Sequence, residues 1–294
     1  MKKVPVYGIS DFYQESHDLS FYANGLPIHL EEHRFVNFHH RHSTYVTVLF
    51  TKGTGEHVID FDSYPVKRGQ LFFLTPGQVH CWSLSDDVDG FVFFHTKEFY
   101  ENQFASHSLS DFPFFKFGPS SPLLQIEEPD MARMEAIFKE IVHENTKETI
   151  YRNLKINALL SILYADLSLG YHERSSRPLL PSGTKKTQEL LALIETYFIK
   201  KKSAHEYADL LHMSTRHLSR ICLDTLHIST TELIQNRIVL EARRLLAHQN
   251  ASVQSVAEEL GYDDYAYFIR LFKKKTGMSP KEFQLSLRTR FSFQ

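Results

Sequence analysis

Cysteine is nearly absent from this chain: only Cys81 and Cys222 occur in 294 residues. No disulfide framework is implied, and both read as packed small residues. No apolar run is long enough to cross a membrane, and the hydrophilic start Met1-Lys2-Lys3-Val4-Pro5 is unlike a secretory leader. A cytoplasmic location with no membrane partner is the expectation. Net charge is also scarce, at −2, which by itself argues weakly against a nucleic-acid partner.

That small total hides an uneven distribution. From Thr184 onward 17 Lys and Arg stand against 12 Asp and Glu, leaving 16 against 23 in the rest, so a basic C-terminal part follows an acidic N-terminal one. The basic part suits DNA, and the acidic part would discourage DNA from lying across it.

The basic part contains SVQSVAEELGYDDYAYFIRLFKKKTGMSPKEF, from Ser252 to Phe283. Ser252 is a candidate N-cap, Val253, Val256, Ala257 and Leu260 recur at helical spacing, and Gly261 can supply a left-handed stop. Asp263 or Asp264 can cap a second helix running to Gly277, followed by Ser279-Pro280 as a new start. On that second helix Phe268, Leu271 and Phe272 share the core side. Tyr265, Ala266, Ile269, Arg270 and Lys273 share the other. The second set suits a helix that enters a major groove, with Arg270 offered to a guanine edge and Lys273, Lys274 and Lys275 to phosphates. A solvated surface helix is the plainer alternative.

An internal repeat favours the DNA reading. Aligned with SAHEYADLLHMSTRHLSRICLDTLHIS, the same unit pairs Ser203 with Ser252, Ala208 with Ala257 and Leu211 with Leu260. After a one-residue slip in the turn, Leu218 pairs with Phe268, Ile221 with Leu271 and Ser229 with Ser279. In this first copy Ser214 caps a helix with Leu218, Ile221 and Cys222 inward and Arg216, Ser219 and Arg220 outward. Between the copies, Ile234, Ile238, Ala242 and Leu245 mark one helix over 229–249, roughly 30 Å long and close to the ~34 Å between successive major-groove faces.

Residues 186–287 resemble the C-terminal domain of the AraC/XylS family of transcription regulators. Ala242, Leu245, Leu246, the run Val253 to Gly261 and the segment YFIRLFKKKTGMSP carry the resemblance. It implies two helix-turn-helix units joined by a linker helix, with Arg216, Ser219, Arg220, Tyr265, Ala266, Ile269 and Arg270 at base-reading positions. His227 stands where the first unit often has Gly, and Cys222 where an aromatic residue is common.

The first 125 residues read as all-β. Val46–Phe50, His57–Phe61, Gln70–Leu74 and Phe91–Phe94 are short strands punctuated by Gly- and Pro-containing turns, a pattern that favours a barrel or jelly roll. The Phe-rich stretch from Phe91 to Phe117 is expected to supply core. His40 and His42, together with Gly69, Pro76-Gly77 and His80, resemble the two motifs of cupin barrels. The first motif's Glu is missing, since Val46 and Thr47 stand where it would fall. Three readings stay open for the histidines: a divalent metal if the ring nitrogens converge, the lining of a metal-free effector pocket, or structural residues at the barrel rim. The expected effector set is His40, Arg41, His42, Tyr45, His80 and Trp82, suited to a sugar or another small polar molecule. No cofactor, metal or catalytic residue is assigned.

Pro129-Asp130 opens a helix with Met134, Ile137, Phe138 and Ile141 inward. A second runs from about Thr149 through Leu154, Ala158, Leu159, Ile162 and Leu163 to Gly170. The pair resembles the family's dimerisation hairpin, or packs only on its own barrel. Gly170 to Lys186 has a linker's composition, and Thr187 to Lys200 forms the next helix, with Leu190, Leu191, Ile194 and Phe198 as its core stripe.

The expected architecture is therefore α+β in two domains. A cupin-like β-barrel plus helical hairpin, for effector binding and dimerisation, occupies residues 1–170, a linker 171–186, and an all-α double helix-turn-helix domain 187–294. The expected function is sequence-specific transcription regulation under a small-molecule effector, by a homodimer joined through 129–170 and bound to double-stranded DNA. RNA polymerase is a further partner if the chain activates. Two alternatives remain: a barrel that serves only as a dimerisation or protein-partner module, and a metal-dependent cupin enzyme.

Overall fold

The computed structural model describes residues 4–13, 19–103, 108–109, 112–115, 121–174, 184–247 and 251–291. They fall into two compact units, the first ending by Arg174 and the second beginning at Thr184.

Strands of the first unit alternate residues between two environments, and that alternation builds two cores. In chain order its elements are β1 (Val6–Tyr7), β2 (Phe21–Gly25), α1 (Leu26–Glu32), β3 (His40–His42), β4 (Tyr45–Lys52), β5 (Gly55–Ile59), β6 (Asp62–Val66), β7 (Gln70–Leu74), β8 (Val79–Leu84), β9 (Asp89–His95), α2 (Lys97–Glu101), β10 (Leu123–Gln125), α3 (Glu128–Asn145) and α4 (Arg152–Arg174). The strands form two five-stranded sheets, ordered β1-β3-β8-β5-β6 and β10-β7-β4-β9-β2. From β4, Val46, Val48 and Phe50 join Phe72, Leu74, Val92 and Phe94 in one core with Ile59, Val66 and Trp82 of the other sheet. Leu49 points the opposite way and joins Leu71, Phe73 and Phe93 in a second core, closed by Met134, Phe138 and Ile141 of α3 and Ile156, Leu160, Leu163 and Tyr164 of α4.

The strand expected over His57–Phe61 ends at Ile59, because Asp60 turns into the left-handed region at φ 53° and leads into β6. The expected Phe core is present in Phe93, Phe94, Phe99, Phe114 and Phe115, whereas Phe104 and Phe117 lie outside the described residues. Helix α4 continues to Arg174 and the next helix starts at Thr184, both inside the span expected as linker. Residues 175–183 of that span lie outside the described residues.

The second unit contains α5 (Thr184–Tyr197), α6 (Ala204–Leu210), α7 (Thr215–Leu226), α8 (Thr230–Leu246), α9 (Val253–Glu259), α10 (Tyr265–Thr276) and α11 (Pro280–Phe291). Ser203, Ser214, Ser229, Ser252 and Asp264 each accept a hydrogen bond from a backbone N–H in the first turn of the following helix. The duplication extends to backbone hydrogen bonds. Met213 N–H donates to Ala208 carbonyl at 3.0 Å, and Tyr262 N–H donates to Ala257 carbonyl at 2.9 Å. The left-handed residue of that turn is His212 in one copy (φ 52°) and Gly261 in the other (φ 70°). A second left-handed position, after α7 and α10, is His227 (φ 57°) in one copy and Gly277 (φ 82°) in the other.

Helix α8 packs on both copies, on α6 and α7 from one and α9 and α10 from the other. Its seventeen residues span about 25 Å. Buried Arg237 on α8 binds Glu195 of α5 through Nε at 2.9 Å and Glu241 at 3.0 Å, with its guanidinium 4.0 Å from the Phe198 ring centre. Cys222 is fully buried and accepts a contact from the Thr230 hydroxyl at 3.1 Å, so the thiol fills its site at the junction of α7 and α8.

Candidate functional site

The outward faces of α7 and α10 follow from what their inward faces bury. Leu218 and Cys222 anchor α7, and Phe268, Leu271 and Phe272 anchor α10. Helical geometry then leaves Arg216 and Arg220 exposed one turn apart with Ser219 half-buried between them. On α10 the equivalent surface holds exposed Tyr265, Ala266 and Arg270 with half-buried Ile269.

The Arg270 guanidinium lies 3.7 Å from the Asp264 carboxylate, and both side chains are about two-thirds exposed. Asp264 also caps α10 by accepting from Tyr267 N–H at 2.9 Å. An exposed pair of this kind contributes little to stability, so the guanidinium is held near the first turn of α10 yet is cheaply released to a stronger acceptor. Lys273 and Lys274 are exposed. Lys275 is not available in the same way: it is tied to Glu232 at the start of α8, at 3.0 Å.

Within the first unit, strand pairing assembles a histidine chamber between the sheets. His40 and His80 are directly opposite on β3 and β8, and His42 lies two residues along on the same face as His40. Their ring centres are 4.2 Å apart for His40–His80, 4.7 Å for His40–His42 and 5.0 Å for His42–His80. One nitrogen from each lies within 4.8 Å of the others. Nδ1–H of His40 donates to the Phe38 carbonyl at 2.7 Å, which leaves its Nε2 as a lone pair when the ring is neutral, 3.0 Å from His42 Nε2.

Three further histidines line the same interior. His57 of β5 contacts His80, Nε2 to Nδ1 at 3.1 Å. His29, on α1, hydrogen-bonds the Tyr22 hydroxyl through Nδ1 at 3.0 Å, and His33 stands four residues on, its ring centre 5.2 Å from that of His29. Phe12, Phe94 and Trp82 fill the gaps, with ring centres 5.3 Å for Phe12–His29, 4.8 Å for Phe94–His42 and 5.3 Å for Trp82–His57.

Burial makes these imidazoles weak bases. It lowers His40 to about 4, and His29 and His57 to about 3. His42 and His80 are pushed well below the ordinary value, first by burial and then by neighbouring histidines. The chamber therefore presents neutral nitrogens at neutral pH. Among its buried nitrogens, His80 Nε2, His42 Nδ1, His57 Nδ1, His29 Nε2, His33 Nε2 and Trp82 Nε1 have no hydrogen-bond partner among the described residues.

Of the six residues expected to line an effector site, the fold gathers His40, His42, His80 and Trp82 in this chamber. Arg41 lies between His40 and His42 on β3 and so is directed to the opposite face. Tyr45 faces the helices, its ring stacked on His95 at 5.5 Å and edge-on to Phe115 at 5.0 Å. It also borders a cavity of about 390 Å³ with Ser10, Thr44, Thr96, Lys97 and Glu98. His29, His33 and His57 were not anticipated. The signals were a polar residue at an inward position of β5, and two histidines four apart, one on a short helix and one capping its end.

Among the described residues, no helix is long and apolar enough to cross a membrane. Comparison with known proteins matches residues 25–160 to the model of an AraC-like ligand binding domain and residues 207–286 to that of a helix-turn-helix domain. The HTH-type transcriptional regulator YfiF of Bacillus subtilis is 25% identical over 251 residues, covering 83% of this chain and 78% of its own length. The HTH-type transcriptional activator RhaR of Shigella dysenteriae is 22% identical over 247 residues, covering 83% and 86%. A solved structure of ToxT from Vibrio cholerae is similar at 15% identity with a TM-score of 0.44, covering 90% of this chain and 98% of that one.

Proposed function

The chain belongs to the AraC/XylS family of transcription regulators, a DNA-binding domain joined to a ligand-binding one, and on that premise we propose how each part works. Arg216, Ser219, Arg220, Tyr265, Ala266, Ile269 and Arg270 read bases from two neighbouring major grooves, while Lys273 and Lys274 bind phosphates. The observation that carries this reading is the repeated exposed face on α7 and α10, each braced against the same linker helix.

The barrel binds a small polar effector, and a sugar is the first class to screen. In support, the histidine cluster combines aromatic rings with polar nitrogens, and a separate cavity of about 390 Å³, bordered by Tyr45, Thr44 and Lys97 and by none of those histidines, is of suitable size. Effector binding shifts the population of domain arrangements and so changes operator occupancy. Activation through contact with RNA polymerase is the proposed output, RhaR being named an activator.

Homodimerisation through the hairpin is supported by the outer face of α4. Leu154, Ala158, Ile162, Ala165 and Leu169 are exposed there at spacings of three and four residues, with exposed Tyr151 in the turn just before the helix, although Leu159 and Leu163 pack on or in the core. An apolar stripe with coiled-coil spacing suits a second copy of the same helix.

Selection of bound sequences from a random DNA pool, followed by a thermal-shift screen of sugars and small acids on the full chain, tests the proposal. A defined operator and at least one compound that raises the melting temperature are expected. Recovery of no sequence preference would contradict the base-reading role. A barrel stabilised by no small molecule would favour the dimerisation or protein-partner module.

A further inference from the structure

The regulator reading assigns no role to the buried cluster of His40, His42 and His80. We propose that His40, His42 and His80 bind a divalent transition metal of the zinc type, with His57 positioning His80 from behind and one coordination position left for water or an oxygen donor of the effector.

Four observations converge on this site. One ring nitrogen from each of three buried histidines lies within 4.8 Å of the other two. Two nitrogens at ~2.0 Å from a tetrahedral ion stand roughly 3.3 Å apart, and the 3.0 Å between Nε2 of His40 and Nε2 of His42 is within a few tenths of an ångström of that. Small imidazole rotations close the remainder.

Proton placement points the same way. His40 donates its Nδ1–H to the Phe38 carbonyl, the arrangement by which a ligand histidine fixes its tautomer and turns a lone pair toward the metal. For His80, Nδ1 is occupied by the contact with His57 Nε2, while the buried Nε2 has no hydrogen-bond partner. A buried nitrogen without a partner is costly, and coordination relieves that cost.

The donor set also selects the ion. Three neutral imidazoles without a carboxylate suit zinc, cobalt, nickel or copper and are poor ligands for magnesium or calcium. Cys81, between His80 and Trp82 on β8, is directed away from the chamber and contacts His39 at 3.4 Å, so no thiolate completes the set.

Metal uptake by the full chain after chelator treatment is the test, with Co²⁺ as the spectroscopic probe and Zn²⁺ in competition with a fluorescent chelator. One equivalent per chain is expected, with the visible absorption of tetrahedral cobalt in nitrogen and oxygen ligands, displaced by Zn²⁺ and unaffected by Mg²⁺. His40→Gln, His42→Gln and His80→Gln should each abolish the saturable site. His57→Gln, one shell out, should weaken it by about 10–100-fold, and His143→Gln on the exposed face of α3 should leave it unchanged. Circular dichroism on each variant separates loss of ligand from loss of fold.

No saturable uptake by folded wild-type protein would overturn the proposal. So would uptake undiminished in folded His40→Gln and His80→Gln. Because uptake is read without DNA, its failure leaves the regulator reading standing, and a failure of operator binding leaves the metal site standing.

Discussion

Arg270 and Lys274 lie one turn apart on α10, yet they should fail differently when removed. Arg270→Ala should cost about 1–3 kcal/mol at one base pair and relax specificity there, while Lys274→Ala should weaken all sequences alike and reduce the salt slope by about one unit. Binding isotherms on specific and random DNA over a range of salt separate the two. His95 is one of several buried histidines that make the first unit acid-sensitive. Its Nδ1–H donates to the Thr96 carbonyl at 2.9 Å, and its Nε2 accepts from the Tyr164 hydroxyl at 2.7 Å, with Tyr45 and Tyr100 against the ring. Burial lowers it to about 4, partly offset by the Thr96 carbonyl, so the fold holds it neutral. The unfolded ring takes up a proton near pH 6.5 and the folded one only near 4. Stability is therefore full above 6.5 and falls as the pH drops through that window. Chemical denaturation between pH 7 and 4 should show this loss, and His95→Phe should reduce it while the other buried histidines keep the remainder. At this scale the sequence was legible where a motif marked the residue, as at His40, His42 and His80. Tyr45 was misleading because its neighbour in sequence, Val46, faces the chamber while Tyr45 itself faces the helices.

Within elements, the two copies of the helix-turn-helix unit differ at the positions where the backbone turns left-handed. A Cβ on Gly261 would stand 2.6 Å from the Ile199 carbonyl oxygen, at a φ of +70°. Gly261→Ala should therefore destabilise the second unit by about 1–3 kcal/mol. At His227 a side chain already bears the left-handed cost, so His227→Gly should stabilise by about 0.5–1 kcal/mol. Urea midpoints check both signs. On α4, Ile162→Glu places a charge in the exposed apolar stripe and should raise the dimer dissociation constant about tenfold or more in sedimentation equilibrium, with the fold unchanged. The helices of the second unit were legible because Ser caps, apolar spacing and glycine stops agree with one another. The face of α4 was less so, since Leu159 and Leu163 lie between outward Leu154, Ala158 and Ile162, and apolar residues on both faces blur the period.

For the whole molecule, charge and architecture are divided along the same line: an acidic barrel with its hairpin, and a basic helical unit with a duplicated helix pair. The duplication was legible from the sequence because each copy repeats its caps and core residues. The extent of the histidine chamber was not, because β3, β5, β8 and α1 are brought together only by sheet closure and helix packing. Arg237, held between Glu195 and Glu241, ties α8, the helix between the two copies, to α5. The most direct test of two readers on one strut is to measure affinity across an operator with every base pair substituted in turn. Two clusters of sensitive positions about one helical turn apart are expected, one lost selectively in Arg216→Ala with Arg220→Ala and the other in Arg270→Ala. A single cluster that responds equally to both sets of substitutions would contradict the account.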